Sequence, residues 1–169
     1  MSGGARGQEL EVGFDTVASW LDALDRLFYC HRVPPSSRRV SRALKKERKL
    51  YLWDWSEVAE PVARFENMVA GHLLKAVHCW SDLGYGEFDL WYLQDKEKRE
   101  VDFLVTDARK PVVLIECKLA DERPSAALEH FAGQLGDLPR LQLVRVPGVD
   151  RRVRRTRIVS AARLLGGLP

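Results

Sequence analysis

The chain holds little of what a secreted, membrane-embedded or nucleotide-hydrolysing protein needs. Its 169 residues include three cysteines, Cys30, Cys79 and Cys117, odd in number and far apart. That spacing excludes a disulfide frame and points to reduced thiols in a cytoplasmic setting. No apolar run approaches the roughly 20 residues of a membrane-spanning helix. The first residues are Gly-rich and polar rather than basic and then apolar, so neither a secretory signal nor a membrane partner is expected. Gly3-Gly4-Ala5-Arg6-Gly7 lacks the lysine and flanking strand of a phosphate-binding loop, which excludes ATPase activity by this polypeptide alone. His31, His72, His78 and His130 show no metal-ligand spacing, and Gly84-Tyr85-Gly86 reads as a turn rather than a dinucleotide site. There is no internal repeat. The formal charge of +3 permits nucleic-acid binding without demanding it.

Two β-type runs carry chemistry. The first is Arg99-Glu100-Val101-Asp102-Phe103-Leu104-Val105; the second is Pro111-Val112-Val113-Leu114-Ile115-Glu116-Cys117-Lys118. Side chains alternate along a strand, so Glu100 and Asp102 should point one way, Val101 and Phe103 the other, and Glu116 and Lys118 should share a face. The residues Thr106 to Lys110 are of hairpin length, which makes the strands antiparallel neighbours about 4.8 Å apart. A divalent cation could then bridge Asp102 and Glu116. The Cys117 thiol points to the opposite face, leaving only its backbone carbonyl to join them. Charges at the end of a run apolar on both faces cost several kcal/mol unless paired or metal-bound. The plain alternative is a Glu–Lys pair at the solvent end of a sheet.

A third carboxylate bears on that choice. From Pro61 to Trp80 apolar residues recur at helical steps, and Glu66 falls inside their arc, between the directions of Leu73 and Val77. Arg64, Asn67, Lys75 and His78 are expected on the wet face. A glutamate near a first turn can also simply favour the helix dipole.

Glu66 on a helix, Asp102 on a strand and Glu116-x-Lys118 on the next resemble the PD-(D/E)XK nuclease superfamily. Lys49-Leu50-Tyr51-Leu52-Trp53-Asp54, Arg64-Phe65-Glu66-Asn67-Met68-Val69, Glu100-Val101-Asp102-Phe103 and Ile115-Glu116-Cys117-Lys118 are closer still to the uncharacterised domain that follows the ATPase module in many prokaryotic AAA+ proteins. Thr16–Leu21 and Arg157–Leu165 match that domain's ends. It departs in having Pro61 and Ala63 where the family's glutamate helix usually follows a glycine. The resemblance implies Mg²⁺ or Mn²⁺ held by Asp102, Glu116, the Cys117 carbonyl and Glu66, with Lys118 orienting water or stabilising charge; Glu66, Asp102, Glu116 and Lys118 are its catalytic set. Glu100 and, more weakly, Gln134 stand as accessory candidates. It further implies a detached C-terminal domain whose AAA+ ATPase is supplied in trans.

The expected architecture is α/β. A restriction-endonuclease-like αβββαβ core with a mixed central sheet flanked by helices would fill residues 58–169. It comprises a helix over Pro61–Trp80, strands near Phe88–Leu93, Arg99–Val105 and Pro111–Lys118, a helix over Pro124–Leu135, strands near Leu141–Val146 and Arg157–Val159, and a helix over Ala161–Leu165. Residues 1–13 read as a flexible leader. Residues 14–57 read as a small, mostly helical, winged-helix-like module with an amphipathic helix from Val17 to Phe28 and a strand over Leu50–Trp55. Basic runs at Arg38, Arg39, Arg42, Lys45, Lys46, Arg48 and Lys49, and at Arg151, Arg152, Arg154, Arg155 and Arg157, would contact DNA phosphates if they rim the acids. Otherwise they are solvated faces. Three functions stay open: a metal-dependent nuclease, a non-catalytic DNA- or protein-binding module of an ATPase, and a structural remnant whose acids pair with Lys118 and nearby arginines.

Overall fold

The computed structural model describes residues 13–36, 47–120 and 123–169. Helix α1 (Phe14–Arg26) leads into β1 (Cys30–Val33), which pairs antiparallel with β2 (Lys49–Leu52). A single 3-10 turn at Trp55–Glu57 follows, its start capped by the Asp54 carboxylate, so the strand expected over Leu50–Trp55 stops at Leu52. Of the basic run, Arg38, Arg39, Arg42, Lys45 and Lys46 lie outside the described residues.

The long helix α2 (Pro61–Asp82) begins where the Glu60 carboxylate accepts the Val62 and Ala63 amides at 3.0 and 2.6 Å. Pro61 costs no hydrogen bond at that first helical position. Then come β3 (Phe88–Gln94), β4 (Glu100–Asp107), β5 (Lys110–Lys118), α3 (Ala126–Gln134), β6 (Arg140–Val144), β7 (Asp150–Val153), β8 (Thr156–Ser160) and α4 (Ala161–Leu165). The molecule is a mixed α/β structure whose six-stranded sheet runs β3-β4-β5-β6-β8-β7. β3, β4 and β5 form an antiparallel meander, α3 carries the chain across to β6 parallel to β5, and β8 lies parallel to β6.

Apolar stripes set the layers. Phe65, Val69, Leu73 and Val77 of α2 pack on Phe103, Val105, Ile115, Cys117, Leu143 and Val159. Leu128, Phe131 and Ala132 of α3 pack on Val101, Leu104 and Leu114 from the other side. Fully burying each such Leu, Val or Phe is worth about 1.5–3 kcal/mol.

Three local features differ from the expectations. The β4–β5 connection is only Ala108-Arg109, both at positive φ (45° and 64°), because the strands run on to Asp107 and Lys110. A two-residue turn of that handedness follows the twist of a hairpin. Between Trp91 and Leu93 the β3–β4 register shifts, so that Asp102 and Phe103 together oppose Tyr92. This bulge inverts the alternation: Val101 packs toward α3, while Phe103 faces α2 on the same side as Asp102. Thirdly, the arginine-rich stretch before the last strand is itself an edge strand, β7, paired with β8.

Candidate functional site: an acidic cluster closed by Lys49

β4 and β5 are last paired at Phe103 and Ile115, and the residues just beyond are Asp102 and Glu116. The bulge turns Asp102 toward α2, where Glu66 projects from the second turn. Lys49 of β2 enters the same space. Its Nζ lies 2.8 Å from Glu66 Oε1, 2.5 Å from Glu100 Oε1 and 3.5 Å from Asp102 Oδ1. The Tyr51 hydroxyl donates to Glu66 Oε1 at 2.6 Å, and the Cys117 amide donates to Asp102 Oδ2 at 2.8 Å. Gln94 Nε2 donates to Glu100 Oε2 at 2.9 Å.

Glu116 belongs to the other face. Leu114 packs toward α3 while Ile115 and Cys117 pack toward α2, so alternation puts Glu116 and Lys118 on the α3 side, joined by a 2.9 Å ion pair. The expected common patch is thus divided: Lys118 pairs with Glu116, whereas Lys49 gathers Glu66, Glu100 and Asp102. Glu116 is 5% exposed, and its Oε2 has no hydrogen-bond partner. Such an atom costs about 1–3 kcal/mol when left unsatisfied.

The electrostatics follow from burial and crowding. Asp102 is pushed up to about 7 by burial and by the carboxylates of Glu66 and Glu116, against the pull of Lys49 and the Cys117 amide. Burial works against the Lys49 charge, but Glu66, Asp102 and Glu100 outweigh it and hold the ammonium above its usual range. Burial and then Glu66 raise the Tyr51 phenol, which stays a neutral donor. Cys117 is raised well above an ordinary thiol, chiefly by burial, and is no nucleophile at neutral pH.

Two residues position this arrangement. Asn67, expected on the wet face, is 4% exposed; its Oδ1 accepts the Leu52 amide at 2.8 Å and its Nδ2 donates to the Leu52 carbonyl at 2.6 Å. It pins β2 to α2 just past Lys49 and Tyr51. Tyr92 donates to the Glu47 carbonyl at 2.6 Å, and the Lys49 Nζ sits 5.5 Å from its ring centroid. Lys49 is therefore no part of a phosphate-facing basic run. The signal was present in Lys49-Leu50-Tyr51-Leu52, where a lysine and a tyrosine two residues apart share one strand face.

Other candidates lie elsewhere. Gln134 is exposed near the end of α3, 3.1 Å from His130 Nε2. Arg151 is level with Glu116 along the ladder but three strand spacings of about 4.8 Å away. Arg152, Arg154 and Arg155 step progressively farther from the acids, and Arg155 pairs with Asp137. This cluster does not rim the acidic site.

The donors are carboxylate oxygens, the kind that a hard divalent cation takes. Among the described ion pairs, Glu66, Glu100, Asp102 and Glu116 face only the ammoniums of Lys49 and Lys118. Yet among the described residues no three His, Cys, Asp or Glu side chains are gathered in a metal-holding arrangement. Lys49 stands between three of them.

No helix among the described residues is long and apolar enough to cross a membrane. No curated protein and no solved structure matches the chain. Residues 5–59 match a domain of unknown function, DUF8612, and residues 63–164 match another, DUF4143. As the second match spans more than half of its length, the chain belongs to the DUF4143 family of domains of unknown function.

Proposed function

We propose that the chain is a divalent-cation-dependent phosphodiesterase acting on DNA, built on a restriction-endonuclease-like core and working with an AAA+ ATPase supplied in trans. The observation that carries this reading is the convergence of Glu66, Glu100 and Asp102 on one cation, the Lys49 ammonium, with Asp102 raised to about 7 by burial and by the carboxylates of Glu66 and Glu116. Asp102 and Glu116 would hold Mg²⁺ or Mn²⁺, with the Cys117 carbonyl and Glu66 completing the donors. When bound, the ion supplies Lewis-acid polarisation of the phosphate and an acidified water. Lys118 would donate to the charge that develops on the phosphate oxygens, Glu66 would orient the attacking water, and Tyr51 would hold Glu66 in place.

A second reading is a non-catalytic DNA- or protein-binding module of an ATPase that keeps the fold. The position of Lys49 favours it, because an ammonium paired to Glu66, Glu100 and Asp102 already offsets part of their charge. The experiment that separates the two is cleavage of single- and double-stranded DNA with Mg²⁺ or Mn²⁺, comparing wild type with an Asp102→Ala/Lys118→Ala double variant purified identically. Cutting by wild type alone supports the phosphodiesterase. Equal cutting places the activity elsewhere, and binding without cutting by either supports the second reading.

A further inference from the structure

We infer that Lys49 is a removable cation plug: its ammonium holds the carboxylates that a divalent cation needs, so that metal loading requires Lys49 to swing out. The inference rests on the cation-site reading above and adds how that site is regulated. Lys49 reaches the cluster from the segment that matches DUF8612, while Glu66, Glu100 and Asp102 all belong to the DUF4143 segment. One part of the chain therefore neutralises the acids of the other.

The plug is built rather than incidental. Its ammonium contacts three carboxylates at once. Asn67 clamps the backbone at Leu52, Tyr92 holds Glu47, and the Tyr92 backbone bonds Pro34 and Ser36, fixing the ribbon on both sides of Lys49. The plug is also able to leave. The Lys49 side chain is 20% exposed, and a groove of about 460 Å³ between β2 and α2 adjoins it. Four rotatable methylenes let the ammonium move without unpairing β2. A divalent ion and an ammonium drawn to the same oxygens repel at ion-pair distance, which sets them in competition.

Two measurements on the full chain test this, with Mn²⁺ as the probe. In the first, thermal melting is followed across a Mn²⁺ titration for wild type, Lys49→Met and Lys49→Met/Asp102→Asn. The Lys49→Met chain should be stabilised with a midpoint at least roughly tenfold lower than wild type, and the added Asp102→Asn should remove that gain. In the second, wild-type amines are acetylated with and without saturating Mn²⁺ and read by mass spectrometry. Lys49 should be protected without the ion and reactive with it. Equal stabilisation of wild type and Lys49→Met overturns the plug but leaves the cation site standing. An absence of Mn²⁺ stabilisation in every chain overturns both. If Lys49→Met does not fold, the wild-type labelling decides: continued protection of Lys49 in Mn²⁺ overturns the inference.

Discussion

Asn67→Ala should release the strand that carries Lys49, and its cost can be worked from two hydrogen bonds. Asn67 accepts the Leu52 amide at 2.8 Å and donates to the Leu52 carbonyl at 2.6 Å. Each bond contributes about 1 kcal/mol net, and a backbone group left short of a partner adds to the loss, so the substitution should cost about 2–4 kcal/mol. Water can reach Leu52, which is only half-buried, and this pulls the figure toward the lower end. Urea unfolding at pH 7 gives the stability change. Hydrogen exchange at the Leu52 amide shows whether it comes from the ribbon. A loss under about 0.5 kcal/mol, with Leu52 protected as in wild type, would refute the idea that Asn67 is the clamp.

Asp102→Asn should be more stable than wild type above pH 7 and lose that advantage toward pH 4. With the folded group at about 7 and the free carboxyl at 3.8, native Asp102 keeps a proton the unfolded chain has released, so its contribution to stability falls as pH rises between those values and is flat above. The full difference is bounded by about 4 kcal/mol, read from denaturant midpoints across pH. His31 has the opposite sign. Burial pushes it down to about 4, and neither ring nitrogen has a hydrogen-bond partner. Its contribution to stability should therefore rise from pH 4 to 6.5 by up to about 3 kcal/mol, against that of Asp102, and His31→Phe, which keeps a ring beside Tyr51 and Trp53, should remove that contribution from the pH profile. Lys118→Ala should leave Mn²⁺ affinity equal or higher, since it removes a cation beside the site, yet abolish any DNA cleavage; calorimetry and a cleavage assay check the two halves.

Much of the architecture is legible from periodicity. The helical spacing of Phe65, Val69, Leu73 and Val77 and the apolar run Val112–Ile115 announce α2 and β5, and the short link after Val105 announces their antiparallel neighbour. What periodicity cannot carry is a change of phase. The bulge at Asp102 and Phe103 leaves no mark in composition, yet it decides that Phe103 joins the α2 core and that Asp102 meets Glu66. The turn at Ala108-Arg109 is hidden because neither residue is the glycine or asparagine that usually signals positive φ. Asn67 and Lys49 are misread for one reason: a polar residue is assigned to solvent by default, whereas Asn67 substitutes for a strand neighbour of Leu52 and Lys49 answers carboxylates distant in sequence. The basic stretch at Arg151–Arg155 alternates too little to betray an edge strand, which needs only the backbone of β8 beside it.

The most direct measurement of the central claim, that these acids form a divalent-cation site, is isothermal titration of Mn²⁺ into wild type and Asp102→Ala at pH 8, where Asp102 is ionised. A saturable isotherm near one ion per chain for wild type and none for Asp102→Ala is the predicted result. The same isotherm for both, or no binding by wild type, would contradict the account.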